Sequence, residues 1–516
     1  MVGADLSSGD GMKTGRKVRW YKGLGIGGMA VAMALGAAAP AFSAADAPET
    51  SPGTAIAIMQ AAAALQGEDC VSARAPLNLL WNDPYLDQAD PNMAAQMRAA
   101  LIVCTAQTDG MKAAIALSAS NIKRTNATVA AYDLHVFLLM VDGQVLAAGT
   151  SLNEGLERFP TTAPALTDMT VLGLLVQLSA VDGEASFGLL NRLQDVRWQA
   201  HNPAMRPLIG FLRVEGLRKA IAVGDDARAR LYRQDIAQDS LVYVIAQGDG
   251  ELSDPSVPPI DVRPVIVREI EANASRVAGN PAELMGLRYL IMLERANDQS
   301  ALALTQLDGI LNLVDQYGLQ NFQSVESYPG LLTDKGSLLA DLGRYVDADK
   351  AFKDGAAKLT PEYAIDHNLI FMNYLTDSGR EKDALNLAAT LVPEAMEQDD
   401  RYQLVATRAC AYAYAGDEPA YAQAVEALAT QPLLRVKPAL CAGDSEGAAK
   451  ALIAAINDPD SRLSVIMFMQ NGLPALPFGE RDKGFIAAMQ AVKTRSDVVA
   501  AAQAARINIR TWPLRF

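Results

Sequence analysis

The sequence predicts an all-α protein built as a solenoid of helical hairpins in two lobes, and three observations carry that expectation. The chain is rich in Ala and Leu while aromatic residues make up only 6% of it. That balance suits closely packed helices better than sheets, which favour β-branched and aromatic side chains. Short turns in which Gly stands beside a polar residue punctuate the helical segments, as at Asp109-Gly110, Asp142-Gly143, Gly224-Asp225 and Gly416-Asp417. Gly67, Gly110, Gly143, Gly183 and Gly224 follow one another in steps of 43, 33, 40 and 41 residues, a spacing typical of helical repeats.

At the front of the chain, Lys13, Arg16, Lys17, Arg19 and Lys22 precede an apolar, Gly/Ala-rich run over 23–41, and small residues follow at Ser43, Ala44 and Ala45. A positive region, an apolar region and a small-residue site in that order predict a secretory signal peptide over 1–45, cut after Ala45 or after Ser43. Met12 begins a more ordinary signal than Met1 does. The alternative is an uncleaved anchor, since the run is nearly long enough to span a bilayer, but Gly and Ala insert weakly. Gly23, Gly25 and Gly28 have the spacing of a dinucleotide-binding loop, yet that motif needs a preceding strand and a following helix. No cofactor is expected. Export without a lasting anchor places the protein in the periplasm of a bacterium with two membranes.

Residues 1–45 hold five of the 45 basic and two of the 59 acidic side chains, so the remainder carries 40 against 57, a formal charge of −17. Such a surface repels nucleic acid and anionic lipid. Nucleic acid is not an expected partner, and no stable membrane insertion is expected after signal cleavage, although association with either membrane through partners is open. The cysteines are Cys70, Cys104, Cys410 and Cys441, and an even count in an exported chain permits two disulfides. Of the three pairings, Cys70 with Cys104 and Cys410 with Cys441 is favoured because each would join neighbouring helices; four buried thiols is the alternative.

A first helical lobe is expected over 46–250. Residues 251–264 break the pattern, because Pro255, Pro258, Pro259 and Pro264 rule out a continuous helix. They form a linker between lobes or a long loop. A second lobe follows over 265–505, where Leu331, Leu332, Leu338, Leu339 and Leu342 recur at helical spacing on one face. In the tail, 506–516, Ile507, Ile509 and Thr511 alternate with polar residues before Trp512-Pro513-Leu514. The tail is expected as a strap over the last helix, or as a docking peptide that adds to a partner sheet.

Segment 329–361 resembles a tetratricopeptide repeat through Gly336, Leu339, Gly343, Tyr345, Ala348, Phe352 and Pro361, with one extra residue near Gly355. Segment 365–393 is similar through Gly379, Ala384 and Pro393, and 402–432 through Gly416, Ala424 and Pro432, although Tyr421 replaces the expected small residue. Segment 438–459 keeps Gly443, Ala448, Ala455 and Pro459. The resemblance is to an architecture, not to an activity. It implies that the first helix of each hairpin lines a groove, faced by Thr333, Ser337, Asp341, Asp366, Asn373, Asp377 and Gln403. That polar, acidic lining fits an extended peptide. The Lys/Arg set with which some family members clamp a peptide's terminal carboxylate is missing, and only Asn373 stands at a matching place.

Chemistry is sparse. His135, His201 and His367 have no metal-ligand spacing to one another and are expected to be structural. No nucleophile elbow or phosphate loop occurs after residue 45. Carbohydrate cleavage, the main enzymatic alternative, needs two carboxylates across a cleft, and 81–85 (Trp81, Tyr85) is the best sugar-stacking candidate. The expected function is therefore a non-enzymatic periplasmic scaffold that binds a protein or peptide of the envelope. A polysaccharide-cleaving enzyme and a structural subunit of an export complex are the alternatives.

Overall fold

The computed structural model describes residues 52–515, apart from 68, 255, 256, 362, 474–476, 478 and 479. The predicted export segment lies outside the described residues. The described residues form 26 α-helices and no strand beyond isolated bridges, so the all-α hairpin architecture stands. Among them no helix is long and apolar enough to cross a membrane.

The chain divides into two compact units at His201/Asn202. The first contains α1 (Pro52–Gln66), α2 (Cys70–Leu80), α3 (Pro84–Ala89), α4 (Pro91–Thr108), α5 (Met111–Ile122), α6 (Val129–Val141), α7 (Val145–Arg158), α8 (Asp168–Val181) and α9 (Gly183–Asp195). Aspartates punctuate it: Asp69, Asp83, Asp90 and Asp182 each accept hydrogen bonds from amides of the following first turn, worth about 1 kcal/mol apiece. Helix α1 buries Thr54, Ala57, Ala61 and Leu65, one stripe at helical spacing, against α2. A disulfide joins Cys70 at the start of α2 to Cys104 in α4, with Cα atoms 4.9 Å apart.

The second unit contains α10 (Arg206–Ala222), α11 (Asp226–Ile236), α12 (Ser240–Gly248), α13 (Arg263–Gly279), α14 (Leu284–Ala296), α15 (Ser300–Tyr317), α16 (Tyr328–Asp341), α17 (Tyr345–Lys358), α18 (Ala364–Asp377), α19 (Glu381–Ala389), α20 (Gln398–Ala415), α21 (Glu418–Ala427), α22 (Pro432–Cys441), α23 (Ser445–Ile456), α24 (Arg462–Met469), α25 (Glu480–Lys493) and α26 (Ser496–Ala504). Hairpins α16/α17, α18/α19, α20/α21 and α22/α23 turn at Gly343, Gly379, Gly416 and Gly443, all at φ between 72° and 81°. A side chain is strained there. The first helices α16, α18, α20 and α22 touch their neighbours directly down the row. Small residues permit the approach: Ala348 and Ala384 are fully buried, and a Cβ on Gly336 would sit 2.6 Å from the Phe352 ring. Helix α21, which carries Tyr421 in place of a small residue, buries no side chain. Cys410 in α20 and Cys441 in α22 form the second disulfide, with Cα atoms 5.2 Å apart.

The proline-rich stretch lies inside this second unit, not at the division between units. Leu252 and Val262 are buried, and Ile260 N–H donates to the Tyr243 hydroxyl at 2.7 Å. The tail is a strap. Arg506 O accepts from Gly250, Asn508 N–H donates to Gly248, and Arg510 O and Trp512 N–H pair with Asn471. Ile507, Trp512 and Leu514 are buried in its own unit, which leaves them unavailable to a partner's sheet.

Candidate partner groove

The row of first helices places the predicted groove residues within one unit but gives most of them partners of their own. Arg295 of α14 donates twice to Asp341 of α16, at 2.6 and 3.0 Å. One turn pair earlier, Arg288 donates to Asp334 at 3.3 Å. Further along the row, Lys437 of α22 reaches Asp377 at 2.9 Å and Asn373 at 3.2 Å, and the Thr407 hydroxyl also donates to Asn373. Asp377 is buried, so its charge is neutralised inside the protein, as a buried carboxylate must be. Thr333 points inward, not toward the groove. Ser337 and Gln403 are half-buried and Asp366 is exposed.

One end of the row is covered by the chain's own α25. Arg481 donates to Glu381 at 2.7 Å and lies 4.6 Å over the Tyr414 ring. Lys437 lies 5.7 Å over Phe485. The Tyr345 hydroxyl donates to Pro477 O at 3.2 Å. Burial, with the nearby Asp377, pushes the Tyr414 phenol up to about 12. Local spacing could not reveal these contacts, because the pairs join helices far apart in sequence.

Two of the three histidines are buried and bonded within the core. His367 is fully buried, with Nε2 2.7 Å from Phe352 O and Nδ1 2.9 Å from Thr333 Oγ1. The carbonyl can only accept, so Nε2 carries the proton, and burial holds the pKa below its ordinary value. His135 is buried against Ser118 at 2.8 Å, again with a lowered pKa from burial. His201 sits half in solvent beside Asp168 at 3.0 Å. Among the described residues no group of three or more His, Cys, Asp or Glu is placed to hold a metal ion.

Of the sugar-stacking candidate, Trp81 is half-buried under an arginine while Tyr85 is exposed. Arg124 lies 4.9 Å over the Trp81 ring and donates to Trp81 O at 2.9 Å. The adjoining recess of about 410 Å³ is lined by Pro84, Asp87, Gln88, Arg124, Thr125 and Asn126. Its single carboxylate, Asp87, is held by the buried Arg98.

Sequence reading missed a buried acid cluster in the second unit. Asp239, the N-cap of α12, accepts from Val242 N–H at 2.9 Å, while its Oδ2 has no partner. Glu269 of α13 accepts from the Ser240 hydroxyl at 2.5 Å, and the Tyr289 hydroxyl lies 3.5 Å from it. Burial pushes Asp239 up to about 6, and burial with the neighbouring Asp239 pushes Glu269 up to about 7. Arg206 and Arg213 offset part of that shift. Glu269 stands at a buried position in the middle of α13, but no signal in the sequence separates it from a surface acid. The cluster lines neither the recess at 84–88 and 124–126 nor the one at 259–262 and 510–513.

The chain matches no protein-family model and no curated protein sequence.

Proposed function

We propose that the chain is an exported, tetratricopeptide-like scaffold that binds an extended segment of a cell-envelope protein along the first helices of the second unit. The observation that carries this reading is the row α16, α18, α20 and α22, in direct contact and cross-tied on its polar side by Arg295, Lys437 and their acid partners. Such ties hold a recognition face rigid, which lowers the ordering cost of binding. Two disulfides support an oxidising compartment, as in the periplasm, and so agree with a signal peptide over 1–45.

Crosslinking in intact cells with Asp366→Lys and Gln403→Lys together tests the groove. The repeat resemblance assigns both positions to the groove; Asp366 is exposed and Gln403 half-buried, and a urea midpoint close to the parent's shows that the double variant folds. Loss of one specific envelope protein from the crosslinked set is the expected result. An unchanged set overturns the assignment.

A further inference from the structure

Over residues 508–512, the strap's backbone bonds to other described residues lie along one edge. Residues 506, 508, 510 and 512 turn their backbone groups toward 248–250 and 470–471. In extended chain, successive residues point their backbone groups to opposite edges. Ile509 and Thr511 therefore point theirs away, and neither amide has a partner among the described residues. Thr511 is exposed. An unpaired strand edge is a template for another strand, and Pro513 ends it.

Beside that edge lies a recess of about 420 Å³, lined by residues 259–262 and 510–513, within the size range of ligand sites. Its walls are fixed. Tyr243 accepts from Ile260 N–H and meets the buried Trp512 ring edge-on, with centroids 6.1 Å apart. Arg510 brings a guanidinium whose Nε donates to Gln247 O at 3.3 Å; among the described residues no carboxylate pairs with it.

We infer that the free edge at Ile509 and Thr511 binds an extended peptide of a partner protein as an added strand, with an acidic side chain against Arg510 and neighbouring side chains in the recess. Backbone pairing supplies affinity in this mode and the recess supplies selectivity. The site is separate from the first-helix groove and stands without it.

The test is selection of a random octapeptide phage library on the full chain, followed by affinity and hydrogen-exchange measurements with the enriched peptides. Acid-containing peptides are expected to protect the amides of Ile509 and Thr511. Thr511→Pro removes a donor that makes no internal bond and fits extended backbone; it is expected to weaken binding at least about tenfold, while Thr511→Val, which keeps the amide, binds normally. The groove variant with Asp366→Lys and Gln403→Lys is expected to bind these peptides unchanged, which separates the two readings. No enrichment, or equal binding by Thr511→Pro, overturns the inference. So does protection of both amides that rises with protein concentration alone, which would assign the edge to a second copy of the chain.

Discussion

Asp249 and Arg462, 213 residues apart in sequence, form a two-point ion pair at 2.6 and 3.2 Å around a carboxylate with no solvent exposure. Arg218 adds a third bond at 3.0 Å. Arg462 also donates to Ala505 O, so one carboxylate ties the end of α12 to α10, α24 and the root of the strap. Removing one partner of a buried pair leaves the others uncompensated. Asp249→Ala is expected to cost about 3 kcal/mol, read as a lower urea midpoint, and to raise hydrogen exchange at Asn508. A midpoint within error of the parent protein would show that the arginines are adequately solvated without it.

The buried acids set a pH dependence of definite sign. Burial raises Glu294 to about 7, and its Oε1 accepts from Gln306 while Oε2 has no partner. Glu269 and Asp239 are raised as well. A carboxyl whose pKa is higher in the folded state binds its proton more tightly there. Its contribution is therefore fully present below the ordinary carboxylate range and is lost as pH rises through about 7. Stability is expected to fall between pH 5 and pH 8. Glu294→Gln, which keeps the shape and supplies a permanent donor, is expected to gain on the order of 2 kcal/mol at pH 8 and almost nothing at pH 5. Parallel pH profiles for parent and variant would exclude Glu294 as a source.

The close approach at Gly336 is a second quantitative target. An added Cβ meets the Phe352 ring at 2.6 Å, and Phe352 is itself stacked on Phe371 with centroids 4.9 Å apart, so it has little room to retreat. Gly336→Ala is expected to cost about 2 kcal/mol by overpacking, and much less when Phe352→Leu is already present. Additive losses in the double-mutant cycle would place the strain elsewhere.

Glycine and alanine carried most of what was legible in advance. Gly343, Gly379, Gly416 and Gly443 mark hairpin turns because only their φ values force a residue type, and Ala348 and Ala384 mark helix contacts because only small side chains fit there. Both are local requirements, written at the position that must meet them. The groove was less legible. Spacing can place Asp341 and Asp377 on first helices, but the cations that neutralise them lie 46 and 60 residues away. Thr333 was misdirected because its partner, His367, comes from the next hairpin. The proline-rich stretch reads equally as a linker or a long loop, since proline reports a broken helix and says nothing of what the broken segment packs against.

The disulfides are expected to matter unequally by location, not by loop length, since the loops span 34 and 31 residues and the chain-entropy difference between them is negligible. Cys410 and Cys441 join two first helices of the row, beside α21, which buries no side chain. Replacing both by Ser is expected to cost about 3 kcal/mol and to speed proteolysis within 416–432. Equal protection of that stretch in parent and variant would show that α20 and α22 hold α21 in place unaided.

Trp512 decides how any experiment on the tail must be built. Its ring is buried, its indole N–H donates to Gln470 Oε1 at 3.1 Å, and its amide donates to Asn471 O at 2.8 Å. Deleting residues 511–516 removes Trp512 and the fully buried Leu514 together, so lost assembly in such a truncation reports unfolding as readily as lost recognition. Trp512→Ala alone is expected to cost about 4 kcal/mol, since it opens a cavity beside Tyr243 and removes one of the two donors to Gln470 Oε1, leaving only Arg510 N–H. Thr511→Pro, one residue earlier, is expected to cost less than about 1 kcal/mol because its amide makes no bond. Urea unfolding of the two variants side by side checks the contrast. A large loss for Thr511→Pro would mean that the outer edge of the strap is already engaged within the folded chain.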